Sequence, residues 1–118
     1  MKLEGEQALL RVHLSSFEKW HTGVLYEALV EKARRERLSG ATVLAGVEGF
    51  FGDGPMLGEK RHLLRLERPV VVEIVDSEEA LQRFLATVGP MLRGRPVLVT
   101  LERAHVVHYR GGERAGAR

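Results

Sequence analysis

Residues Val70 to Val75 are β-branched at five of six positions and run without a break into Asp76-Ser77-Glu78-Glu79. A nearly continuous β-branched run is the mark of a buried strand. Asp76 and Glu79 stand in the N-cap and N3 relation, and Glu78 and Glu79 suit the positive end of a helix, so the strand hands over directly to a helix. That helix carries Leu81, Phe84, Leu85 and Val88 at i, i+3, i+4 and i+7, and Gly89-Pro90 is expected to interrupt it.

The other elements fall around this strand–helix pair. Gln7 to Leu14 alternates as a strand, and Ser15 to Gly23 is a polar turn bearing Phe17 and Trp20. Leu25, Ala28, Leu29 and Ala33 then repeat at helical spacing, Glu31 and Arg35 form an i,i+4 pair on the wet side, and Gly40 is the expected stop. Ala41 to Phe51 reads as the second strand. Gly52 to Pro69 follows with little periodicity, apart from a possible strand extension at His62 to Leu66, and an excursion of that length is usually functional or mobile. After the second helix, Arg93-Gly94-Arg95-Pro96 is a basic turn. Val97 to Leu101 is the last strand, with room to extend through Val106 and Val107 to Tyr109.

The order is β-α-β-β-α-β, which predicts an α+β fold of ferredoxin-like type: a four-stranded antiparallel sheet with two helices on one face. Residues 1–110 form one domain, and 111–118 are a tail expected to fray. One helical layer covers only one face of the sheet. Val43, Ala45 and Val47 nevertheless oppose Leu44 and Gly46 across the second strand, and Val70, Val72 and Ile74 oppose Val71 and Val75 across the third. Something must cover the second face, and another copy of the chain is the economical candidate.

Composition narrows the function. The 118 residues contain no cysteine, which removes disulfides, thiolate nucleophiles and Cys-ligated metals and fits a reducing cytoplasmic compartment. No signal-like start or long apolar run is present, so no membrane insertion is expected. A net charge of +2 is too small to suggest nucleic-acid binding, and the central strands offer aliphatic rather than stacking aromatic side chains. The basic residues are 14 Arg to 4 Lys, and the Arg fork suits phosphate or carboxylate.

No catalytic set emerges. Ser15, Ser16, Ser39 and Ser77 sit in turns or caps, Asp53 lies in the long loop, and Glu48 and Glu73 are ordinary strand carboxylates, so the chain is not expected to be an enzyme. His105 and His108 are three apart, which puts them on opposite faces of a regular strand, while His13, His21 and His62 come from separate elements. A metal site is not expected, with His105 and His108 at a subunit interface kept as the alternative.

The stretch Leu25 to Ala33, the block Ser39 to Phe51, His62, and Pro69 to Glu79 together resemble the DUF190 family of small proteins, a family regarded as similar to the PII signalling proteins. The resemblance spans residues 7 to 107. It implies a homotrimer whose three sheets face a central axis, with Gly52 to Arg68 in the place of the PII T-loop, which contacts partner proteins, often membrane transporters or channels. It also implies a small anionic effector in the clefts between subunits, such as ATP, ADP, AMP or a cyclic nucleotide. The candidate ligand residues are Thr42, Gly49, Phe50, Gly52, Arg93, Arg95 and Arg103; the candidate partner-binding residues in the loop are Asp53, Lys60, Arg61 and His62. Glycines at a loop root let backbone N–H groups approach an anion. Gly46 and Gly49 equally allow a bulge or close strand packing. The alternatives are a metal-binding trimer similar to the CutA-type proteins, and an adaptor with no small ligand.

Overall fold

The computed structural model describes residues 3–58 and 67–111. Strand β1 (Gly5–Ser15) turns Ala8, Leu10, Val12 and Leu14 inward, the period-2 pattern of a half-buried strand. The chain then makes a short ladder, Lys19–Trp20 against Gly23–Val24, and enters helix α1 (Leu25–Arg35), which buries Leu25, Leu29 and Ala33. Strand β2 (Thr42–Ala45) precedes the long excursion. Strand β3 (Pro69–Asp76), helix α2 (Glu78–Leu92) and strand β4 (Leu98–Val106) complete the order expected from the sequence. The sheet runs β2-β3-β1-β4 with every pairing antiparallel. The core lies between its inner face and the helices, where Leu10, Leu14, Leu25, Leu29, Leu81, Phe84 and Val88 have no exposed surface.

Four local details differ from the sequence reading. Helix α1 is ended by Arg37 rather than Gly40. Arg37 adopts φ +60°, Leu38 N–H donates to Ala33 O at 3.1 Å and Arg37 N–H to Arg34 O at 3.1 Å, the paired bonds of a Schellman motif. Leu38 packs on the core at that point and pulls the turn inward ahead of Gly40.

The N-cap of α2 is Ser77, whose Oγ accepts from Ala80 N at 3.1 Å, and not Asp76. Asp76 is the buried end of β3, accepting from Ser77 N at 2.7 Å and Ser39 N at 2.8 Å. Helix α2 also continues through Pro90 to Leu92. The missing N–H costs a single bond near the end of the helix, Val88 and Met91 stay buried, and Arg93 N–H still reaches Gly89 O at 3.0 Å. Finally, β2 stops at Ala45 instead of Phe51. Gly46 N–H donates to Pro69 O at 2.7 Å, but Pro69 has no N–H to return, so the ladder ends.

The outer sheet face carries the expected apolar residues. Leu9, Val71 and Val75 are half-buried, and Leu44 and Leu98 are exposed. It also carries a polar row that the sequence reading did not assemble: Thr42, Glu73, Arg11 and Thr100 stand side by side across all four strands. Arg11 Nε donates to Glu73 Oε2 at 2.9 Å and Nη1 to Glu102 Oε1 at 2.6 Å. The Glu73 hydrogen bond foremost, with that to Glu102, raises the Arg11 pKa above its ordinary value and outweighs the opposing effect of desolvation, so the guanidinium stays charged.

Candidate anion site at the loop end of the sheet

Ala45, Pro69, Leu14 and Leu98 mark one end of the sheet, and the long excursion leaves from there. Pro69 forms its floor. A Cβ added at Gly46 would lie 3.0 Å from Pro69 Cγ, and one at Gly49 would lie 3.2 Å from the same atom. Of the two readings of these glycines, close packing is therefore present: a side chain at either position would press on the proline ring, which would have to give by a few tenths of an ångström.

Beyond this crossing the chain forms a small hairpin, Glu48–Gly49 against Leu57–Gly58. Gly58 has φ +134° and a Cβ there would meet Val47 O at 2.4 Å, so that position admits only glycine. At the tip, Gly54 N–H donates to Phe51 O at 2.7 Å and Gly52 takes φ +53° at the first central position, where a type II′ turn needs glycine. Leu57 is buried, whereas Phe50, Gly52 and Asp53 are exposed. The returning arm is tied to the end of β1. Ser16 N–H donates to Arg68 O at 2.8 Å, Arg68 N–H to Ser16 Oγ at 2.9 Å, and Ser15 Oγ to Glu67 Oε2 at 2.6 Å.

The two arginines of the basic turn stand at the same end, beside the opposite edge strand. Arg93 is exposed at the C-cap of α2. Arg95 is half-buried: its Nη1 donates to Glu18 Oε2 at 2.8 Å and Lys19 O at 2.9 Å, and its guanidinium lies 5.3 Å from the centre of the Trp20 ring. Thr42 lies exposed in the middle row of the sheet. Arg103 is opposite Ala8, five residues along β4 from Leu98, or about 17 Å at 3.3 Å per residue. The loop end thus gathers Gly49, Phe50, Gly52, Arg93 and Arg95, whereas Arg103 stands at the other end. Lys60, Arg61 and His62 lie outside the described residues.

His105 Nδ1 is 2.9 Å from Glu6 Oε2 and His108 Nδ1 is 3.4 Å from Glu4 Oε2. Each of these histidines thus faces a different carboxylate. Among the described residues no three His, Asp or Glu side chains are grouped to hold a metal ion. Nor is any helix among them long and apolar enough to cross a membrane.

Sequence reasoning missed the Ser15–Glu67 and Ser16–Arg68 ties and the Arg11–Glu73–Glu102 cluster. The signal for the cluster was present, in single opposite charges interrupting two apolar strands, but it required the register.

Known proteins share this architecture. The DUF190 family, described as Uncharacterized ACR, matches residues 7–106, and the chain belongs to that family. A UPF0166 protein of Aquifex aeolicus (strain VF5) is 35% identical over 103 residues, which cover 87% of this chain and 95% of that protein. A UPF0166 protein of Methanocaldococcus jannaschii is 27% identical over 103 residues, covering 87% and 92%. Among solved structures, CPII, a nitrogen regulatory PII-like protein from Thiomonas intermedia K12 bound to ADP, AMP and bicarbonate, matches with TM-score 0.68 at 17% identity over 91% of this chain and 92% of that one. The fold is PII-like.

Proposed function

We propose that this chain is a PII-like regulatory protein that binds a small anionic effector of the adenine-nucleotide class in clefts between three copies and reports it, through residues 52–68, to a partner protein. The observation that carries this reading is the placement of the candidate groups. The glycine hairpin lies at the β2 edge and Arg93 and Arg95 beside the β4 edge, with two strands between them. At about 4.8 Å per strand spacing the edges are about 14 Å apart within one chain. A neighbouring copy that sets its β4 edge beside this β2 edge would close a pocket with backbone N–H groups on one wall and guanidinium groups on the other. Covering the apolar outer face would drive the same assembly. The ADP, AMP and bicarbonate of CPII are consistent with a ligand of this class.

Signalling would follow by population shift. An effector that contacts the hairpin only when it is ordered favours that state by its differential affinity and no more. A membrane transporter or channel is the partner class proposed, met from the water side. Cytoplasmic location and the absence of catalysis belong to the same reading.

The test combines sedimentation velocity with thermal melts against ATP, ADP, AMP, cyclic AMP, bicarbonate and zinc. A nucleotide at 100 times its Kd should stabilise the fold by about 2.7 kcal/mol, and Arg93→Ala should remove the effect. A single-chain species that ignores every nucleotide would overturn the reading.

A further inference from the structure

At the end of the sheet away from the loop, an open surface groove of about 320 Å³ is lined by Glu6, Gln7, Glu78 and Arg103, of which Glu6, Glu78 and Arg103 are exposed. Its walls come from three elements. Glu6 and Arg103 occupy the same face of the β1–β4 ladder as diagonal neighbours, because Glu6 pairs with His105 and Ala8 with Arg103. Glu78 belongs to the first turn of α2. Glu6 gives one carboxylate oxygen to His105 Nδ1 at 2.9 Å. Among the described residues the side chains of Gln7, Glu78 and Arg103 have no hydrogen-bonded or ion-paired partner.

Diagonal neighbours on a ladder stand about 7–8 Å apart, within reach of one another for long side chains. Arg103 nevertheless pairs with neither Glu6 nor Glu78, and the three charges surround open space. Two carboxylates and one guanidinium also make a lining of net negative charge, which disfavours a nucleotide phosphate. It suits a molecule that presents one carboxylate to the guanidinium and cationic groups to the carboxylates.

We propose that this groove binds a basic α-amino acid, of the lysine or arginine type. The ligand carboxylate pairs with Arg103, its α-ammonium and side-chain cation take the free oxygens of Glu6 and Glu78, and Gln7 hydrogen-bonds the polar remainder. The groove is open to solvent and large enough for the head and side chain of such a ligand to lie along it. This site goes beyond the nucleotide reading and shares none of the loop-end residues, so Arg103 is reassigned to it.

The test is calorimetric titration of the full chain with L-lysine, L-arginine, cadaverine, which is lysine without its carboxylate, and L-glutamate. L-lysine or L-arginine should bind, with cadaverine at least about tenfold weaker, since a charge-assisted pair is worth at least that factor. Arg103→Ala should weaken lysine or arginine about tenfold and leave cadaverine unweakened or slightly tighter, whereas Glu78→Gln should weaken both. Equal binding of lysine and cadaverine, tighter binding of glutamate, indifference to Arg103→Ala, or no binding heat at millimolar amino acid would each overturn the proposal. ADP titrated into the same sample reads the loop-end site separately, so either site can fail alone.

Discussion

Gly46 crosses the ring of Pro69 with its N–H bonded to the Pro69 carbonyl at 2.7 Å, and a Cβ on Gly46 would stand 3.0 Å from Pro69 Cγ and 3.3 Å from Pro69 O. The proline ring can yield only by repuckering, so part of the adjustment falls on β2 or β3. Gly46→Ala is expected to destabilise the fold by about 1–3 kcal/mol, the range for inserting a methyl group into a packed contact. Gly49→Ala, at 3.2 Å from the same ring, should cost less. Urea unfolding of both variants measures the difference.

Gly58 controls the hairpin rather than the domain. Its φ of +134° and the clash that a Cβ would make with Val47 O exclude any side chain. Gly58→Ala should open the ladder Glu48–Gly49/Leu57–Gly58 at a local cost of about 1–3 kcal/mol while β1, β3 and the helices keep their protection in hydrogen exchange. If the proposed function holds, nucleotide stabilisation is lost in the same variant.

Arg37 closes α1 in a conformation that glycine adopts more readily. Arg37→Gly should therefore raise stability by about 0.5–1 kcal/mol, the left-handed penalty removed less the added freedom of the unfolded chain. A rise in the denaturation midpoint with an unchanged slope is the expected reading.

Asp76 and Ser77 separate two kinds of capping. Ser77→Ala removes one N-cap bond and should cost about 1 kcal/mol. Asp76→Ala leaves two N–H groups, from Ser39 and Ser77, without their acceptor beneath a buried position, and should cost about 2–4 kcal/mol. Similar losses in the two variants would mean that Asp76 does not hold the α1–β2 connection.

Arg95 has structural partners as well as a proposed ligand. Glu18→Gln should weaken its hold on the β1–α1 turn by about 1 kcal/mol or less and leave the cation in place for a nucleotide. Arg95→Ala should lose both that contact and nucleotide-dependent stabilisation. Thermal melts with and without ADP distinguish them.

The order of elements was legible in the sequence because hydrophobic period is a local property: Leu81, Phe84, Leu85 and Val88 specify a helix whatever surrounds them. What the sequence concealed was non-local. Asp76 has the composition of an N-cap but turns away to serve Ser39, a residue 37 positions earlier. β2 has the apolar pattern of an eleven-residue strand but meets a proline on its partner after Ala45. Arg93, Arg95 and Arg103 look like one basic group because they are close in sequence, yet a strand running between Arg95 and Arg103 carries the last of them to the other end of the sheet. The glycine at 58, which neither periodicity nor motif singled out, proved more demanding than those at 46 and 49.

In the proposed assembly, the row of Thr42, Glu73, Arg11 and Thr100 would govern how copies meet. A uniformly greasy surface would tolerate sliding and mismatched encounters, since every offset buries similar area. A fixed cation flanked by two acids in the middle of that surface makes most offsets strand a charge against hydrocarbon. In that assembly the sheet would be keyed, accepting a companion only where these groups keep their bonds or their water.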